Sequence, residues 1–207
     1  MPQTMKENPP PQGIEERCED MRSRVHQAMA ANPDPEIRSY WSTTITNAED
    51  PNRTLSIAAI VADSIALTLA PRTRTELGNH TRTFLNEQKE VIEKQKLTQD
   101  PHKYPLAEKA IATLTSLLNT PTSRRDPEKA DLGFRTDIAS AAAQLQLVTN
   151  SQFVDTIYLP NTQDPKKFSE LGISFADRLR AVGHMTTVAM NTTLRLMKEE
   201  RGLVAKK

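Results

Sequence analysis

Five Asp-Pro dipeptides, beginning at Asp34, Asp50, Asp100, Asp126 and Asp164, constrain this chain more than any other feature. An aspartate placed just before a helix accepts a hydrogen bond from an orphan amide and meets the positive end of the helix dipole. A proline in the first helical position loses nothing, because its missing N–H would have had no partner there. Each dipeptide is followed within a few residues by apolar positions at helical spacing, so the five read as helix starts. Their separations of 16, 50, 26 and 38 residues share no period, which argues against a solenoid of equal repeats. The expectation is an all-α, irregular helical bundle of about six to eight helices.

Apolar spacing locates the helices between these punctuation marks. The first runs from about Ile14 to Ala31, stepping through Cys18, Met21, Val25 and Met29, and ends at Pro33. A second, short one follows Asp34 and carries Tyr40 and Trp41. The third, from about Asn52 to Leu69, is apolar nearly all round, which predicts a central position. Thr73 and Glu76 form a capping box for a fourth that ends near Lys96. The fifth, Tyr104 to Asn119, has the cleanest stripe, and the sixth follows Asp126. Residues 151–159 fit strand and helix equally, and helix is preferred because a lone strand would have no partner. After Asp164 a short turn should end at Gly172, with Ser174 and Asp177 opening a last helix to about Arg201.

A chain of 207 residues can bury about 70% of its unfolded surface without staples. With one Trp, three Tyr and five Phe, the core must come from Leu, Ile, Val, Ala and Met. The reading is a disordered, polar, proline-bearing arm over residues 1–13, one helical domain over 14–201, and a flexible tail over 202–207. No stretch resembles a signal peptide, and the longest apolar run, Thr54 to Ala70, carries Asp63 near its middle, which favours a core helix over a membrane span. The single cysteine, Cys18, precludes an intramolecular disulfide and suits a reducing compartment. A cytoplasmic location, or delivery into a reducing cytosol, is therefore expected, with Cys18 as buried filler.

Lys and Arg (27) nearly balance Asp and Glu (26), so no global field draws in DNA or an acidic membrane. Basic residues gather locally at Arg72, Arg74 and Arg82, at Arg124 and Arg125, at Lys166 and Lys167, and at Arg178 and Arg180, without interleaved aromatics. A nucleic-acid partner thus ranks last among the readings.

The four histidines are far apart, and neither Glu-x-x-His nor His-x-x-x-His occurs, so no metal site is expected. Glycine-rich phosphate loops and nucleophile elbows are missing as well, so no cofactor is expected. The best polar cluster is Asp63 on the third helix with Glu76 and His80, spaced i to i+4, on the fourth. Packed as an antiparallel hairpin, these two helices would bring Asp63 towards His80, and buried titrating groups are where function collects. Tyr40 and Trp41 are the aromatic anchors, either in the core, which base rates favour, or at a partner surface. The leading expectation is a non-enzymatic adaptor, regulator or effector domain that binds another protein through a helix groove or an exposed apolar stripe. Self-association follows if the fifth helix leaves its stripe uncovered. The alternative is a small helical enzyme or ligand-binding bundle centred on Asp63, Glu76 and His80.

Overall fold

The computed structural model describes residues 13–33, 35, 38, 57–101, 103–121, 127–150 and 165–202, and excludes the side chains of residues 14, 15, 57, 58, 127–130, 165–178 and 181. Among the described residues the chain is all-helical, with six α-helices and no strand. They are α1 (Ile14–Ala30), α2 (Ile57–Leu69), α3 (Arg74–Lys94), α4 (Tyr104–Asn119), α5 (Pro127–Thr149) and α6 (Pro165–Glu200), with a 3-10 turn at Leu97–Gln99.

The proline punctuation acts as helix chemistry requires. Pro127 and Pro165 occupy the first positions of α5 and α6. Asp100 caps the entry to α4: its Oδ1 accepts from the Lys103 amide at 2.9 Å and its carbonyl accepts from the Tyr104 amide at 3.1 Å. That is the N-cap arrangement, set four residues before the first residue of the regular helix. Asp34, Asp50, Asp126 and Asp164 lie outside the described residues, as do Tyr40, Trp41 and the ambiguous stretch 151–159. Thr73 and Glu76 form the expected capping box on α3. The Glu76 amide donates to Thr73 Oγ1 at 3.1 Å, and Glu76 Oε2 accepts from the amides of Arg72 and Thr73 at 2.7 and 3.4 Å.

One helix boundary differs from expectation. Gly172 does not end a short turn; α6 runs unbroken through it from Pro165 to Glu200. Glycine stops a helix when its backbone turns left-handed, and within the described residues Gly202 alone among glycines does so, with φ 69°. There the Gly202 amide donates back to the Glu199 carbonyl at 3.0 Å and closes the helix. A glycine that keeps helical dihedrals costs only about 1 kcal/mol, which a long amphipathic helix absorbs.

The centre is shared by α2 and α5. Ile60, Val61, Ile65 and Ala66 of α2 and Ile138, Ala142, Leu145 and Val148 of α5 are all essentially sealed from solvent. Helices α1, α3 and α6 pack on this pair, and α4 lies against α5. Alanines 139 and 141–143 let neighbouring backbones come close along α5. Gly183 of α6 sits so near α5 that a Cβ there would stand 2.8 Å from both Gln144 Nε2 and Ser140 Oγ. On α4 the apolar stripe is covered in part: Ala107, Ala110 and Leu114 are buried, while Ile111, Leu117 and Leu118 are half-buried against the core.

Polar clips fix the ends. The C-terminus of α2 presents carbonyls that no helical amide can reach, and two guanidiniums take them. Arg135, buried on α5, donates to the Thr68 carbonyl and, at 2.8 Å, to the Pro71 carbonyl, while its Nε is held by Asp131 at 2.7 Å. Arg17 of α1 donates to the Ala70 carbonyl at 3.1 Å and pairs with Glu76 at 3.2 Å. At the opposite end of α1, Arg24 bridges Asp20 and Glu200 and ties α1 to the last turn of α6. No helix among the described residues is long and apolar enough to cross a membrane.

Candidate functional site

Among the described residues, α1, α2, α3 and α5 border a polar-edged cleft with a volume of about 310 Å³. Cys18 and Arg22 from α1, Asp63, Ser64, Ala66 and Leu67 from α2, His80 and Phe84 from α3, and Gln146 from α5 line it. The spacing explains the convergence: Cys18 with Arg22, Asp63 with Leu67, and His80 with Phe84 are each i, i+4 pairs, which stack on one helix face. One member of each pair is polar or charged and its mate leads down to the apolar floor of Ala66, Leu67 and Phe84.

The polar groups divide into those already bonded and those that are not. Arg22 donates through Nε to Asp63 Oδ1 and through Nη1 to Glu19 Oε2 at 3.0 Å. Burial alone would make the Arg22 guanidinium less basic, but the two carboxylates outweigh it and hold its pKa above the ordinary arginine value. Cys18 is half-buried at the cleft wall rather than enclosed in the core, and its thiol donates to the Ala66 carbonyl at 3.9 Å. Ser64, itself sealed from solvent, donates to Gln146 Oε1 at 3.2 Å across the interface of α2 and α5. That bond fixes the Gln146 amide and leaves its Nε2 group without a hydrogen bond to any described residue. The His80 imidazole likewise makes no hydrogen bond to a described residue. One turn beyond Arg22 on α1, His26 is half-buried; burial pushes its pKa below the ordinary value, and the charges of Asp63 and Glu19 only partly oppose this.

Of the three residues singled out in the sequence, Asp63 and His80 line this cleft and Glu76 does not. Glu76 is spent at the rim, where its carboxylate caps α3 and pairs with Arg17. Its pKa is lowered chiefly by the amide hydrogen bonds from Arg72 and Thr73, with smaller help from Arg17 and His80. Asp63 takes Arg22 as its hydrogen-bonding partner, not His80. Arg22, Ser64, Phe84 and Gln146 join the site without a signal of their own in the spacing of histidines and carboxylates. A lone aspartate on an apolar helix calls first for a cation, and Arg22 supplies it.

Elsewhere the described surface offers less. Leu132, at 36%, is the one large exposed hydrophobic among the described residues. Arg74, one of the clustered basic residues, lies over the Phe134 ring, its guanidinium 4.1 Å from the ring centroid and bonded to the Thr120 carbonyl at 2.9 Å. Within the described residues no group of three or more His, Cys, Asp or Glu side chains is placed to hold a metal ion. Compared with protein families, with curated proteins and with solved structures, the chain matches none.

Proposed function

We propose that this chain is a non-catalytic helical binding domain whose ligand enters the cleft among α1, α2, α3 and α5. One observation carries the reading: the Gln146 amide nitrogen and the His80 imidazole line a cavity of about 310 Å³ with an apolar floor, and neither has a hydrogen bond to a described residue. A concave, mostly apolar site with a few convergent polar groups is the usual form of a small-ligand pocket, and volumes of about 300 Å³ mark the small end of that class. The occupant is accordingly a compact molecule or a single side chain, not a partner helix.

Binding is favoured over catalysis by what surrounds the histidine. A general base works when a second group orients it, and His80 hydrogen-bonds no carboxylate among the described residues, while Asp63 is committed to Arg22 and Glu76 to its cap. We place the protein in a reducing cytosol on the strength of its single thiol. The test is chemical-shift mapping of the full chain against a library of small fragments. Binders should move the amide signals of Asp63, Ser64, Phe84 and Gln146 together. Hits scattered over other surfaces, or turnover of any fragment that disappears in His80→Ala, would remove the proposal.

A further inference from the structure

The cleft is lined by one carboxylate, Asp63, one guanidinium, Arg22, and the His80 imidazole. At its rim Glu76 is taken up by the α3 cap and by Arg17, which also donates to the Ala70 carbonyl. Arg22 is shared between Glu19 and Asp63, and its side chain remains 41% exposed. Asp63 uses Oδ1 for Arg22, so its second oxygen accepts no hydrogen bond from a described residue. The cavity thus contains an aspartate with an open acceptor, held by a solvent-accessible and displaceable cation. The same cleft is lined by the Gln146 amide, whose oxygen accepts from Ser64.

Resting on the binding reading above, we infer that the cleft takes a small organic cation: a protonated amine with an apolar body and a hydrogen-bond acceptor a few bonds from the nitrogen. The ammonium group pairs with Asp63 in place of Arg22 or beside it, since an ammonium satisfies a carboxylate as a guanidinium does. The acceptor meets the Gln146 Nε2 group, and the body covers Leu67 and Phe84. An anion is disfavoured because the guanidinium that lines the cleft, Arg22, is already engaged by two carboxylates, Glu19 and Asp63. An α-amino amide has this chemistry, and it occurs both as a free small molecule and as the first residue of a polypeptide.

Four probes sharing one phenyl body separate the possibilities: phenylalaninamide, 2-phenylethylamine, 3-phenylpropanamide and 3-phenylpropionate, titrated into the full chain at low salt and followed by amide chemical shifts. Phenylalaninamide should bind in the cleft most tightly and 3-phenylpropionate most weakly, by about tenfold or more, as expected for one charge-assisted hydrogen bond. Asp63→Asn should erase that preference. Arg22→Gln should strengthen phenylalaninamide binding by about twofold to fivefold, because a partly exposed ion pair is a weak competitor whose removal frees Asp63. This gain runs opposite to any loss from impaired folding, so it keeps the test decisive if Asp63→Asn is unstable. A tripeptide amide beginning with Phe and its N-acetylated form tell the two sources apart: binding of the free-amine tripeptide assigns the site to chain N-termini, and its exclusion assigns it to free amines. Equal binding of the propanamide or the propionate in the cleft would overturn the inference and leave the binding reading in place. Silence of the cleft signals towards all four probes would overturn both.

Discussion

Arg135 carries more of the fold than its surface neighbours do, because it is a buried charge whose donors meet carbonyls left open at the end of α2. Hydrogen bonds to charged groups contribute about 1.5–3 kcal/mol each, and a carbonyl stripped of its partner keeps its desolvation cost. Arg135→Met should lower unfolding free energy by about 2–4 kcal/mol in urea titrations. Arg135→Lys should recover only part of it, since an ammonium cannot present the same fork. His26 gives a second expectation at this scale. Its folded pKa is lowered by burial, so the unfolded chain binds its proton more readily. The stability tied to neutral His26 is complete above the unfolded value of 6.5 and falls as pH drops below it. Urea midpoints measured from pH 7.5 down to 5 should decline, and His26→Gln should flatten the decline. An unchanged slope in that variant would show that other groups set the pH dependence.

The capping box on α3 is the clearest case of an element specified locally. Thr73 and Glu76 are three residues apart in sequence and bond reciprocally in the fold, so the signal and its structural result lie within one helical turn. Thr73→Ala should cost about 1 kcal/mol, readable as a lowered thermal midpoint, because the Glu76 amide then loses its acceptor. The same locality explains which elements could be read in the chain. Pro127 and Pro165 open α5 and α6 where acid-proline chemistry places a helix start, and the apolar stripe of α4 lies over the predicted residues. The continuity of α6 through Gly172 was not legible, because glycine signals a stop only when its dihedrals turn left-handed, and sequence does not state dihedrals. The cleft was half legible. Asp63 and His80 stood out as polar groups on adjacent helices, but Gln146 meets Ser64 across 82 positions of sequence, and no local pattern announces such a contact.

At the scale of the whole molecule, all six helices contribute to one cluster of buried side chains, from Val25 and Met29 of α1 to Met190 of α6. That continuity predicts cooperative unfolding: circular dichroism and calorimetry should report coincident transitions, and separated ones would indicate two independent cores. The cleft is where this packing leaves a gap among α1, α2, α3 and α5, and its polar edge comes from residues that the core does not consume. Filling this gap tests the proposed binding role directly. Leu67 is half-buried on the cleft wall, so Leu67→Trp places a larger side chain in the open volume without uncovering the core. The decisive measurement is the dissociation constant of a cleft-binding fragment for the wild-type chain and for Leu67→Trp, each shown to be folded by circular dichroism. The account predicts that affinity falls by at least about tenfold in the filled variant, as loss of a small ligand's apolar contacts and polar anchor demands. Undiminished binding to the filled variant would contradict it.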